Sequence, residues 1–152
     1  MPHFDRVIGL AVVIAAGAFL SGCGDGQSKY TKIEPARVES ISGSKLKKIT
    51  LTPKAIERLD VQTAVVRNTS IAAEGQSPTM RKVVPYSSVI YDTHGGTWVY
   101  ISPKSRDFVR HEIDIDYIDG DNVVLKDGPP DNTTIAVIGA AELYGAEAGI
   151  GH

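Results

Sequence analysis

A mainly β domain, a small β-roll or barrel with one short helix near residues 53–60, is the fold this sequence predicts, and three observations predict it. Val83–Tyr91 and Thr97–Ile101 are β-branched, aromatic-rich runs separated by Asp92-Thr93-His94-Gly95-Gly96, which reads as a hairpin around a glycine turn. Phe108–Tyr117 alternates, with Val109, His111, Ile113, Ile115 and Tyr117 on one side and Arg110, Glu112, Asp114 and Asp116 on the other. That is the period of a half-buried strand with one wet face. Two more short apolar runs, Val123–Leu125 and Thr133–Ile138, follow the turn signals Asp119-Gly120-Asp121 and Gly128-Pro129-Pro130-Asp131-Asn132.

The elements before this block are weaker. Leu46, Ile49 and Leu51 among lysines and threonines suggest a first strand. Thr52-Pro53 then reads as a helix start, with threonine as N-cap and proline where its missing N–H costs nothing. Ile56 and Leu59 lie three apart on one face of that helix. Val61–Val66 is β-branched enough for a strand, Ser70–Gly75 suits a neighbour, and a polar loop runs from Gly75 to Met80. Ala140–Tyr144 suits a last helical turn, and 145–152 reads as a Gly-rich tail.

The N-terminus has a different texture. Val7–Phe19 is apolar and follows Arg6, too short for the roughly 20 residues a mature membrane helix needs. It fits a signal peptide over residues 1–22. Leu20-Ser21-Gly22-Cys23 closes the run with the one cysteine of the chain, and it resembles the lipobox of bacterial lipoproteins. That resemblance implies that Cys23 is acylated, becomes the new N-terminus, and anchors the chain in the lipid bilayer of the cell envelope. Residues 23–44, poor in large apolar side chains, read as a flexible tether, leaving 45–144 as the β-rich body.

Composition narrows the function classes. The formal net charge of −2 over 152 residues offers no basic footprint for nucleic acid. No serine sits in a glycine elbow beside a base, and nothing predicts catalysis or a cofactor. His94 and His111 lack a metal-ligand spacing, and read as a turn and a strand residue. Asp114, Asp116, Asp119 and Asp121 lack the loop spacing of a calcium site and read as a solvated strand face and turn. Trp98, Tyr86, Tyr91, Tyr100 and Tyr117 suit a small β core, with Tyr86 and Tyr91 the most exposed.

Taken together, Ile49-Thr50-Leu51-Thr52-Pro53, Thr63–Val66, Val84–Ile90, Gly96–Tyr100, Phe108-Val109-Arg110 and the Gly128–Gly139 run are similar to periplasmic adaptor subunits, or membrane fusion proteins, of RND-type bacterial efflux pumps. The likeness covers roughly residues 46–66 and 81–144 and is to the membrane-proximal domain. The helical hairpin, lipoyl-like and barrel domains of that family have only Arg67–Met80 in their place. The resemblance implies a non-catalytic accessory subunit that contacts a membrane transporter, and an oligomer is compatible with it. It also implies that residues 46–66 pair with the closing strands. Rigid turns are where a small β scaffold displays binding residues, so Tyr91, Asp92, His94 and Gly95, with Pro129 and Asn132, are the expected contacts. A free-standing envelope lipoprotein that binds a small molecule or metal is the alternative.

Overall fold

The computed structural model describes residues 34–72 and 77–150. The expected signal peptide, Cys23 and the first part of the expected tether lie outside the described residues. Among the described residues, eleven strands form two sheets, accompanied by two α-helices. The first sheet holds β1 (Ala36–Ser40), β2 (Lys47–Leu51), β3 (Gln62–Val65), β6 (Ile90–Tyr91), β7 (Thr97–Lys104), β8 (Asp107–Glu112) and β11 (Thr134–Ile138). Its order is β1-β2-β8-β7-β11-β3, with β6 also beside β7. The second holds β4 (Arg67–Ile71), β5 (Thr79–Pro85), β9 (Asp114–Asp119) and β10 (Asn122–Asp127), in the order β4-β5-β10-β9. Every pairing is antiparallel. The fold is mainly β, as expected, but the two sheets stay open where a closed barrel was the alternative: β1 and β3 end one, β4 and β9 the other.

The first sheet is the middle layer of three. Tyr100, Phe108, Ile49 and Leu51 point from one face into a cluster completed by α1 (Pro53–Arg58) and α2 (Ala140–Ala148) through Ala55, Ala140 and Leu143. From the other face Val99 and Ile135 meet Val84, Val123 and Leu125 of the second sheet. A strand covered on both faces loses its alternation, which is why Thr97–Ile101 reads as a continuous apolar run.

Four segments carry the chain from one sheet to the other, each through a buried residue; the last, residues 128–133 between β10 and β11, does so at Pro129. Val66, fully buried, separates β3 from β4. The 3-10 turn Tyr86–Ser88 separates β5 from β6, and the buried Ser88 hydroxyl donates to the Pro85 carbonyl at 2.6 Å. Ile113, 3 % exposed, separates β8 from β9. The expected single strand over 108–117 is therefore two. The Ile113 N–H donates to the Thr97 carbonyl at 2.9 Å, and its own carbonyl accepts from the Thr97 hydroxyl at 2.6 Å. These bonds fix the Ile113 backbone to the start of β7, while its side chain enters the cluster between the sheets.

The opening and closing segments of the body do meet. Gln62–Val65 pairs with Thr134–Ile138, and Val66 extends the ladder by donating to the Thr133 carbonyl and accepting from the Asn132 N–H. Thr52 caps α1 as its sequence suggests, its hydroxyl accepting from the Ala55 N–H at 3.1 Å with proline in the first turn.

Two boundaries need correction. The expected tether extends too far, because its last part, Ala36–Ser40, is β1, paired residue by residue with β2. An edge strand needs only one buried face. Ala36 packs against the core, while Glu39 holds Lys48 at 3.0 Å and Arg37 at 2.8 Å on the wet side. The expected tail likewise begins inside α2, which runs to Ala148. Leu143 and Glu147, four apart, bury one face of it, and Gly149 ends it in a left-handed cap. β4 starts at Arg67, ahead of the neighbour strand expected over Ser70–Gly75, of which residues 73–76 lie outside the described residues.

Candidate functional site

The hairpin turn between β6 and β7 is built on one carboxylate. Asp92 Oδ1 accepts from the backbone N–H of His94 and of Gly96, both at 2.8 Å, and Asp92 Oδ2 accepts from the Trp98 indole N–H at 2.9 Å. The Gly96 bond, then those from His94 and Trp98, hold the Asp92 carboxyl below its ordinary pKa. Gly96 must lack a side chain, since a Cβ there would stand 2.8 Å from the indole nitrogen and 2.9 Å from Asp92 Oδ2. The turn is thereby rigid, and it displays Tyr91, Thr93, His94 and Gly95, all exposed. Tyr91 and Tyr86, 50 % and 46 % exposed, interact through their hydroxyls; partial burial and that neighbour raise the Tyr91 pKa.

Trp98 connects this turn to a buried charge. The Arg110 guanidinium lies 4.7 Å from the Trp98 ring centroid and 5.8 Å from that of Tyr144, so it is held between two aromatic faces. Its Nε contacts both Glu147 oxygens, at 2.9 and 3.0 Å, and the Tyr100 hydroxyl donates to Glu147 Oε2 at 2.6 Å. Lys47 donates to the Glu147 backbone carbonyl at 2.9 Å. Burial, then the Glu147 carboxylate, push the Tyr100 hydroxyl far above its ordinary range, so it stays a donor at all physiological pH. Asp92, Trp98, Arg110, Glu147 and Tyr100 form one connected path from the exposed turn to the C-terminal helix.

The second expected contact region lies elsewhere. The 128–132 loop is fastened to β4 and β5: Lys82 donates to the Gly128 carbonyl at 2.8 Å, and the Asn68 N–H donates to Asp131 Oδ1 at 3.2 Å. Asn132 is exposed and takes φ +62°, the left-handed region that asparagine tolerates. Pro129 is buried and packs rather than being displayed, which removes it from the expected contacts. The turn bonds to β7 and the loop to β4 and β5, so they are two surfaces rather than one.

Sequence reasoning missed Arg110, Tyr100 and Glu147. Arg110 falls on the polar side of the alternating run, but Phe108, 2 % exposed, shares its face and packs beneath the helices. The signal that could have found the pair is the register, since Tyr100 stands opposite Arg110 in the β7–β8 hairpin. Its turn, Ser105-Arg106, has no glycine, and Arg106 itself takes φ +72°.

Among the described residues, no group of three or more His, Cys, Asp or Glu could hold a metal ion, and no helix is long and apolar enough to cross a membrane. His111 is half-buried on β8, and Tyr117 is 39 % exposed rather than core. No protein-family model matches the chain, and no curated protein sequence matches it either.

Proposed function

We propose that this chain is a lipoprotein held in the envelope membrane through an acylated Cys23, and that its β body is a non-catalytic accessory subunit docking on an efflux-type membrane transporter. The observation that carries the reading is the pairing of Gln62–Val65 with Thr134–Ile138. A reduced membrane-proximal domain requires it: segments on either side of the lost insert must fold as one body without that insert. The rigid 91–96 turn supports the docking role. A loop already fixed by the Asp92 bonds loses little conformational freedom on contact with a partner, so more of the contact energy appears as affinity.

The test is crosslinking in native membranes. Thr93→Cys, with Cys23 kept as the lipidated residue, places one reactive thiol on the exposed turn. The reading predicts a covalent product with an integral membrane transporter subunit, and mass spectrometry showing acyl chains on Cys23. An unmodified Cys23, or a membrane-bound chain that yields no transporter product from either Thr93→Cys or Asn132→Cys, contradicts it.

A further inference from the structure

A groove of about 380 Å³ opens between α1 and the β7–β8 turn, on the side of the first sheet away from the second. Ile56, Val61 and Phe108 give it an apolar part, the cations Lys104 and Arg106 a charged one, and the hydroxyls of Thr63, Ser102, Ser105 and Thr134 also line it. The volume is near the lower end of the roughly 300–1,000 Å³ typical of small-ligand sites. An apolar part beside a charged one selects a ligand with both characters.

Most cations of the two sheets are already paired, and the two at the groove are not. Arg37, Lys48, Arg81, Lys82, Arg110 and Lys126 each face a carboxylate. Among the described residues, neither the Lys104 ammonium nor the Arg106 guanidinium has an ion pair or a hydrogen bond. The neighbouring Asp107 carboxylate is engaged by the Thr50 hydroxyl at 2.7 Å. Arg106 also sits at φ +72°, a backbone conformation that favours glycine, and the Leu51 N–H fixes it there by donating to the Arg106 carbonyl at 3.0 Å. A long cationic side chain thus occupies a turn position that the backbone alone would give to glycine.

We propose that this groove binds a single-chain anionic amphiphile, with its carboxylate or phosphate head between Lys104 and Arg106 and its alkyl chain over Ile56, Val61 and Phe108. The site stands on its own geometry and holds whether or not the body docks on a transporter. The head gains two charge-assisted bonds from cations that have no competing partner. The chain covers the half-buried Ile56 and Val61 side chains, while Phe108 closes the groove beneath them.

Photolabelling of the intact, membrane-anchored chain tests this. The probe is an alkyl carboxylate with a diazirine in its chain, its methyl ester is the neutral control, and labelled peptides are mapped by mass spectrometry. The carboxylate is expected to label the peptides containing Ile56, Val61 or Phe108 at least about ten-fold more than the ester, whose neutral head forfeits both charge-assisted contacts. Decyl phosphate should compete, and inorganic phosphate should not. Lys104→Ala with Arg106→Gly should lower groove labelling by about ten-fold at unchanged thermal stability, because glycine suits the backbone at 106. Equal labelling by the ester, labelling unaffected by the double variant, or the absence of label from these peptides overturns the proposal. Displacement by inorganic phosphate overturns the amphiphile and leaves a site for the free anion.

Discussion

Burying the Glu147 carboxylate at 5 % exposure is tolerable because Arg110 and Tyr100 both bind it, and Arg110 is itself stacked between Trp98 and Tyr144. Removing one partner leaves a buried charge uncompensated, which costs about 3–5 kcal/mol. Arg110→Met should therefore destabilise by about 3 kcal/mol in urea denaturation, whereas Arg110→Met with Glu147→Leu should recover most of the loss. A double variant as unstable as the single one would place the cost in lost aromatic stacking instead. Asp92 gives the opposite kind of dependence, since it is held by hydrogen bonds at an exposed turn. Its folded pKa lies below its ordinary 3.8, so its contribution is complete above that value and is lost as pH falls through the lowered one. The stability gap between the native chain and Asp92→Asn should narrow between about pH 5 and about pH 2. Thermal melting across that range measures it, and a constant gap would mean that the charge does not set the turn.

At the scale of elements, caps and turns were legible because their chemistry is local. Thr52-Pro53 starts α1 where the sequence puts it, and Thr52→Ala should cost about 1 kcal/mol in chemical denaturation through the orphaned Ala55 N–H. The Asp119-Gly120 turn joins β9 to β10, with Gly120 at φ +56°. The elements that were misread depend on distant partners. Ala36–Ser40 has too few apolar residues to announce a strand and becomes one through the β2 ladder. Phe108–Tyr117 alternates like one strand, yet Ile113 is where it leaves one sheet for the other, a choice made by Thr97, sixteen residues upstream. Ala140–Ala148 becomes a full helix because Glu147 finds Arg110 across the fold, information that no window of local sequence contains. Gly139 shows the same dependence: it takes φ +84°, and a Cβ there would lie 2.8 Å from the Val61 side chain. Gly139→Ala should lower the melting temperature, and an unchanged value would mean that Val61 yields freely.

For the whole molecule, the three layers explain why the turn and the C-terminal helix belong to one mechanical unit. The first sheet is covered by helices on one side and by the second sheet on the other, so a force on the 91–96 turn reaches both clusters through Trp98 and Val99. Ile135, fully buried between the sheets, ties the closing strand to this unit, and Ile135→Ala should cost about 2–5 kcal/mol in equilibrium unfolding. A body this tightly cross-linked suits a docking subunit, and the adaptor reading depends on its opening and closing segments folding together. Native-state amide hydrogen exchange, resolved at Gln62–Val65 and Thr134–Ile138, tests that dependence most directly. The account predicts that both stretches open only with the global transition and respond equally to denaturant. Rapid, independent exchange of Gln62–Val65 while Thr134–Ile138 stays protected would contradict it.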